Sequence, residues 1–356
     1  GRRRVARFGI EEEFILLDEK TLVPLALSHD QRGAIVGDAA DGEITAEYLT
    51  CQLESVLRPA MTLAEAAPPL IGMRRFLGTH AAALGAIAAP TGTPFIHPER
   101  FGVVRSDHYD EVAANLAEIT RDQAVDGLHI HVEFADDEQR VRALNRIRPW
   151  LPTLLALTGN APFSHGRPSG FASWRSILIR RLPSSWTPPR FEDFTHYSAH
   201  IVQLVEIGAI GDSSSLAWTV RLSQRFPTVE VRVFDAQLTA EDTLFAVALT
   251  RALLLDDDAD APGESHTVPV EMIEASLWTA ARRGTDARLV DPLTGDIAPV
   301  WDIAERMLHH LLPLLSDLGD HDVVTERLER LRVEGTGAER QLRAYDELGV
   351  AGLADL

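Results

Sequence analysis

Apolar and polar residues alternate along several stretches of the chain, and each polar side so produced carries acids, imidazoles or guanidinium groups. In residues 127–134, Leu128, Ile130, Val132 and Phe134 share one side and His129, His131 and Glu133 the other. That is the pattern of a strand with one face buried. In residues 8–18 a strand sends Glu11 and Glu13 to the side of Gly9, and Glu12 to the side of Phe8, Ile10 and Phe14. Within the extended region 45–59, Gln52 and Glu54 alternate with Leu53 and Ser55. In residues 228–235, Val229, Val231 and Val233 form an apolar side and leave Glu230 and Arg232 together, with the strand 218–222 and its Arg221 as a neighbour.

Between these strands the spacing turns helical. It predicts helices over 63–89, with Arg74 and Arg75 on the solvated side and an end near Pro90, and over 110–126, 136–148 and 240–255. Further helices are expected over 271–283, 300–318, 322–332 and 338–346. A turn at 18–24, a Gly/Ala/Asp-rich loop at 33–41 and long loops at 158–170 and 183–189 separate them, and 256–263 reads as a solvated, mobile acidic linker. Polar-faced strands separated by helices imply an α+β fold, a curved antiparallel sheet with one polar concave face and helices packed on the other side.

The polar face invites chemistry. Three adjacent carboxylates in an apolar run are costly unless a cation binds them or the strand is a solvated edge. Glu11 and Glu13 aimed into one concavity suit a hard metal ion and a phosphate-bearing ligand. His129 and His131, two apart on a strand, can ligate a metal or meet phosphate, or serve the core. Glu54 is either a third acid on this face or a surface residue. An acid beside an arginine, as in Glu230 and Arg232, is useful where the arginine must also meet a carboxylate or phosphate.

Composition narrows the reading. The 356 residues, 45% hydrophobic and 24% charged, allow a large core, and one domain spanning 1–356 is expected. A net charge of -19 argues against nucleic-acid or anionic-membrane contact. The lone Cys51 excludes an intrachain disulfide, no apolar run approaches a membrane span, and residues 1–7 lack the core of a signal peptide, so a cytoplasmic protein is expected. Lys20 is the only lysine, which leaves no place for a phosphate-loop lysine or Schiff-base chemistry. Any phosphate work falls to arginine, metal and backbone.

A series of short motifs then resembles the bacterial carboxylate–amine ligase family related to glutamate–cysteine ligase, the glutamate–cysteine ligase type 2 group. They are Phe8-Gly9-Ile10-Glu11-Glu12-Glu13-Phe14, Gln52-Leu53-Glu54, Gly127-Leu128-His129-Ile130-His131-Val132 and Arg148-Pro149-Trp150-Leu151-Pro152. Asn160-Ala161-Pro162-Phe163, Ala172-Ser173-Trp174-Arg175, the segment 225–232 and the segment 278–282 continue the series, so the resemblance covers nearly the whole chain.

The resemblance implies a fold belonging with the glutamine synthetase catalytic domain, and an ATP-dependent ligase. Such an enzyme activates an amino acid carboxylate, glutamate being one candidate, as an acyl phosphate and joins it to an amine such as that of cysteine. It implies Mg²⁺, with Mn²⁺ as an alternative, and ATP as co-substrate. Glu11, Glu13, Glu54 and Glu230 would be metal ligands, with His129 and His131 lining the same face. Arg232 would stabilise the transferred phosphoryl group beside Glu230, and Asn160, Ser173, Arg175 and Arg221 would surround substrate or nucleotide. Neither nucleic acid nor membrane is implied as a partner, and a homo-oligomer stays open. Glu133, Asp126 and the direct Thr93-Pro94 junction depart from the family pattern and leave both substrates open. Two other classes compete: a metal-dependent hydrolase built on His129, His131 and Glu133, and a non-catalytic nucleotide or amino acid binding protein.

Overall fold

The computed structural model describes residues 6–257 and 268–356, without the side chains of 107 and 108. Its centre is the strand β1 (Phe8–Asp18), the longest of an eight-stranded sheet. The other members are β2 (Gly37–Ala39), β3 (Gly42–Ala46), β4 (Gln52–Leu57), β5 (Ala86–Ala89) and β6 (Gly127–Glu133). A two-residue hairpin, β7 (Phe163–Ser164) and β8 (Arg167–Pro168), stands apart, and β9 (Val220–Leu222) with β10 (Thr228–Asp235) completes the sheet. The order is β2-β3-β4-β1-β6-β10-β9, with β5 also paired to β1, and these pairings are antiparallel.

Helices follow the apolar periodicity. They are α1 (His29–Gly33), α2 (Leu63–Ala83), α3 (Asp107–Leu116), α4 (Asp137–Ile147), α5 (Leu151–Thr158), α6 (Trp174–Ile179), α7 (Phe194–Glu206) and α8 (Ala240–Leu255). The C-terminal part adds α9 (Val270–Arg283), the hairpin β11 (Arg288–Val290) with β12 (Ile297–Pro299), α10 (Val300–Leu318), α11 (His321–Glu334), α12 (Gly337–Leu348) and α13 (Val350–Ala354). Phe8, Ile10, Phe14, Leu128, Ile130, Val132, Val229 and Val231 join one continuous core with α2, α4, α5, α8 and α10. All eight of these strand residues are almost inaccessible, so the sheet has one face sealed by helices.

Three local expectations are corrected. The helix from Leu63 ends at Ala83, because Gly85 takes a positive φ of 68° and turns the chain into β5 rather than towards Pro90. Arg74 is not on a solvated side; its guanidinium reaches under β1 and clasps Glu12, donating from Nη2 to Oε1 at 2.6 Å and from Nε to Oε2 at 3.0 Å. Glu12 is thus held by an arginine on the face opposite Glu11 and Glu13, as the alternation requires. The loop expected over 33–41 contains β2. Most of the expected acidic linker, residues 258–263, lies outside the described residues.

Strict alternation also fails at one place in β10. Val231 pairs with Ile130 but Phe234 pairs with Leu128, so two residues, Arg232 and Val233, oppose the single His129. This bulge returns Phe234 to the core and turns Asp235 towards the polar face beside Gly127.

Candidate active site

Register, more than any single residue, builds the polar face. Glu11 pairs with His129, Gly9 with His131, Glu13 with Glu54, and Glu230 with both His131 and Arg221. Directly opposed residues project to the same side, so acids and imidazoles from β1, β4, β6 and β10 lie edge to edge. Nδ1 of His129 is 3.4 Å from a Glu11 oxygen and Nε2 of His131 is 3.4 Å from the other. His129 Nε2 is 3.8 Å from Glu13, and its Nδ1 is 4.0 Å from Glu54.

Three groups of donors have their ligand atoms within 4.8 Å of one another: Glu11, His131 and Glu230; Glu11, Glu54 and His129; Glu13, Glu47 and Glu54. They share Glu11 and Glu54 and form one row across the sheet. The donor set fits divalent cations. The Glu13–Glu47–Glu54 group is all carboxylate, suited to Mg²⁺, and the two groups with an imidazole also suit Mn²⁺. His131 meets Thr228 Oγ1 through Nδ1 at 2.9 Å, leaving a buried Nε2 without a hydrogen bond.

Electrostatics tell the same story. Burial, helped by Glu13, pushes the Glu47 carboxyl up to about 8. Burial together with Glu47, Glu11 and Glu13 raises Glu54 well above the usual range. Glu11 goes the other way: burial opposes it, but the imidazoles of His129 and His131 beside it hold its carboxyl low. Burial likewise works against Glu230, yet Arg232 and Arg221 outweigh it and hold that carboxyl low. Arg221 grips Glu230 through two bonds, Nε to Oε2 at 2.7 Å and Nη2 to Oε1 at 3.1 Å, while Arg232 donates to Oε1 from the other side.

A cavity of about 290 Å³ opens beside the acids, with Glu13, Glu47, His129, Arg175 and Arg232 in its lining. Buried Arg175 lies beside Asp235, at 3.9 Å, on the sheet side of this cavity. The structure therefore gathers Glu11, Glu13, Glu54, His129, His131, Arg221, Glu230 and Arg232 into one array, with Arg175 at the cavity beside it.

Asn160 and Ser173 are placed differently. Both are fully buried; Asn160 donates to Pro90 O and Ala236 O, and accepts from Gln341 at 2.6 Å. Ser173 donates to Asp235 at 2.8 Å and caps α6. Their polar atoms hold Asp235 and the neighbouring loops in place and do not line the cavity. Glu133 is separate again, bound by Arg7 through two bonds of 2.6 and 3.0 Å, so it forms no donor group with His129 and His131 among the described residues.

Glu47 is the acid that sequence reasoning missed. A signal existed: it follows Thr45 by two positions, and Thr45 is the register partner of Glu54. Carrying the alternation of β3 one step past its end places Glu47 on the acidic face.

Comparison with known sequences gives the class, a carbon–nitrogen ligase. The chain belongs to glutamate–cysteine ligase family 2, which it matches over residues 7–352. It is 36% identical over 343 residues to a Saccharopolyspora erythraea protein named "Putative glutamate–cysteine ligase 2-2", covering 94% of this chain and 87% of that one. A Mycolicibacterium smegmatis protein, "Putative glutamate–cysteine ligase 2-3", is 34% identical over 362 residues, covering 98% of each. Among solved structures, the glutamate–cysteine ligase of Francisella tularensis in complex with AMP superposes with a TM-score of 0.75 at 14% identity, covering 99% of this chain and 87% of that one. That likeness is one of fold. No helix among the described residues is long and apolar enough to cross a membrane.

Proposed function

We propose that this protein is an ATP-dependent carboxylate–amine ligase that activates an amino acid carboxylate, glutamate being one candidate, as an acyl phosphate and passes the acyl group to an amine. The observation that carries the reading is the row of acid and imidazole donors running from Glu230 to Glu47, bordered by arginines and lining a cavity through Glu13, Glu47 and His129. Glu11, Glu13, Glu47, Glu54, His129, His131 and Glu230 would hold divalent ions. Such ions, when bound, neutralise the phosphates of a nucleotide and leave its terminal phosphorus open to attack. The AMP carried by the Francisella ligase of the same fold supports a nucleotide here.

The residues of the chain supply the rest. Arg232, fixed against Glu230, faces the cavity and meets charge developing on the transferred phosphoryl oxygens. Arg221 grips Glu230 from the opposite side, which keeps both guanidiniums oriented. The substrate carboxylate oxygen attacks the terminal phosphorus and ADP leaves. The amine nitrogen then attacks the acyl carbon and phosphate departs. A walled cavity shields the acyl phosphate from water between these events.

The test is ADP release on incubation with ATP, Mg²⁺ and a panel of amino acids and amines. Release that depends on a carboxylate substrate supports the reading. Folded, nucleotide-bound protein that turns over no member of a broad panel overturns it. The hydrolase alternative has no supporting geometry, since Glu133 is engaged by Arg7.

A further inference from the structure

Glu47 stands outside the strands, in the loop between β3 and β4, and the backbone of that loop is tied to the segment leading into α3. The Thr50 N–H donates to Gly102 O at 2.9 Å, the Val104 N–H donates to Tyr48 O at 2.9 Å, and Leu49 bridges Val103. A second tie runs through side chains. The rings of Tyr48 and of Tyr109, which lies on α3, meet edge to face with centroids 5.3 Å apart. The residue next to Glu47 is therefore joined to α3 and its approach by both backbone and ring.

The hold of α3 on the rest of the fold is slight. Tyr109, Val112 and Leu116, spaced by three and four, turn one stripe of the helix towards the cavity beside the acids. Val112 and Leu116 join neither apolar core of the described residues, and no residue of 109–122 is buried. The side-chain hydrogen bonds and ion pairs of 110–121 stay local: Asp110 with Arg105, Arg121 with Glu118, and Thr120 with Ala117 O. The next anchor is Asp122, held by Arg181 at 2.8 Å. At Ala117, where α3 gives way to the 3₁₀ turn Ala117–Asp122, φ is 48° and ψ is -121°, a backbone suited to glycine and costly for alanine. Few buried contacts and a strained joint mark a segment that opens at little cost.

We propose that α3 is a lid over the cavity, and that its closed seat is coupled through Tyr48 to cation binding at Glu13, Glu47 and Glu54. With Glu47 fixed on a cation, Tyr48 beside it is fixed too, and so is the ring on which Tyr109 rests. When α3 lifts, Tyr109 leaves and the loop that carries Glu47 loosens. The coupling is reciprocal, so each event favours the other by the same factor. Tyr109 is a positioning residue that acts on the acids through Tyr48. The inference rests on the reading of these acids as a divalent-cation site and adds a moving part to it.

Hydrogen exchange of the full chain, in chelator and in saturating Mg²⁺, reads the lid, and calorimetry reads the affinity for Mg²⁺. Mg²⁺ alone should slow exchange of the α3 amides by about tenfold or more, and Tyr109→Ala should remove that protection and weaken Mg²⁺ binding about tenfold. Tyr109→Phe keeps the ring contact and should keep both. Tyr109→Leu serves as the second variant should Tyr109→Ala not fold. Mg²⁺ affinity unchanged in Tyr109→Ala, or α3 exchange that bound Mg²⁺ does not slow, overturns the inference. So does a phenylalanine variant that behaves like the alanine one, since the hydroxyl rather than the seat of the ring would then act. If calorimetry finds no Mg²⁺ bound to the wild type, the cation reading falls, and exchange in chelator decides the lid and its tie to the loop separately. Faster exchange in Tyr109→Ala at both α3 and residues 47–51 supports the tie, and faster exchange at α3 alone, or at neither, overturns it.

Discussion

Glu13 and Glu54 stand directly opposite each other in the register of β1 and β4, two carboxylates in a position where like charges destabilise an antiparallel pair. The Gly127 N–H bonds to Glu13 and the Thr45 hydroxyl to Glu54, but neither carries a charge to offset the acids. A cation between them turns a local cost into a binding site.

A pH dependence follows. The carboxyls of Glu47, pushed up to about 8 by burial and Glu13, and of Glu54, raised by burial and its acidic neighbours, hold protons in the folded state that the unfolded chain releases near the ordinary value of 4.5. The folded state then binds more protons across that window, so stability falls as pH rises from about 4.5 towards 8. In chelator, Tm should decline over this range, and Mg²⁺ should restore it most at the upper end, with proton release on binding. Glu47→Gln should flatten the decline. A Tm in chelator that is insensitive to pH and to added Mg²⁺ contradicts this.

Glu47 also gives a sharper test of the metal row. Its replacement by Gln keeps size and removes charge, and should raise the Mg²⁺ concentration for half-maximal ADP release by about tenfold or more. Glu43, four residues back and exposed on β3, is the control. Its Gln variant should leave the Mg²⁺ requirement where it was.

Glu12 and Glu11 are neighbours with opposite assignments. Glu12→Ala leaves Arg74, which also donates to Gln237 O at 2.7 Å, without its carboxylate in the interior. Breaking a buried pair from one side costs about 3–5 kcal/mol, to be read from the denaturation midpoint, while the folded fraction should retain its turnover. Glu11→Gln should do the reverse, with cooperative unfolding kept and turnover abolished.

Arg232→Ala should lower kcat by about 10²- to 10³-fold with ATP binding less affected, the signature of a group that acts on developing charge. Glu230 keeps its two bonds from Arg221 in that variant, so the sheet should hold its register. Comparable losses in nucleotide affinity and kcat would instead mark Arg232 as a ground-state contact.

The sheet and most of its acids were legible because period-two alternation states which side chains share a face, and the helix of α8 was read to its ends from its apolar run. Alternation is blind to what lies past a strand end, which hid Glu47, and to an inserted residue, which hid the turn of Asp235 towards the polar face. Arg74 was misplaced for another reason. Helical periodicity treats a charged residue as outward, whereas a long guanidinium can run inward once a buried carboxylate such as Glu12 awaits it. Asn160 and Ser173 sit in loops whose sequence carries no period, so only the folded chain shows their bonds going to backbone, Gln341 and Asp235.

The central claim is that the row from Glu230 to Glu47 holds divalent cations under a nucleotide. Anomalous diffraction from crystals grown with Mn²⁺ and a non-hydrolysable ATP analogue tests it most directly. The account predicts manganese peaks within coordination distance of Glu11, Glu13, Glu47, Glu54 and Glu230, with analogue phosphate oxygens bridging them beside Arg232. Nucleotide bound without manganese at this row, or manganese seated instead at Glu133, would contradict it.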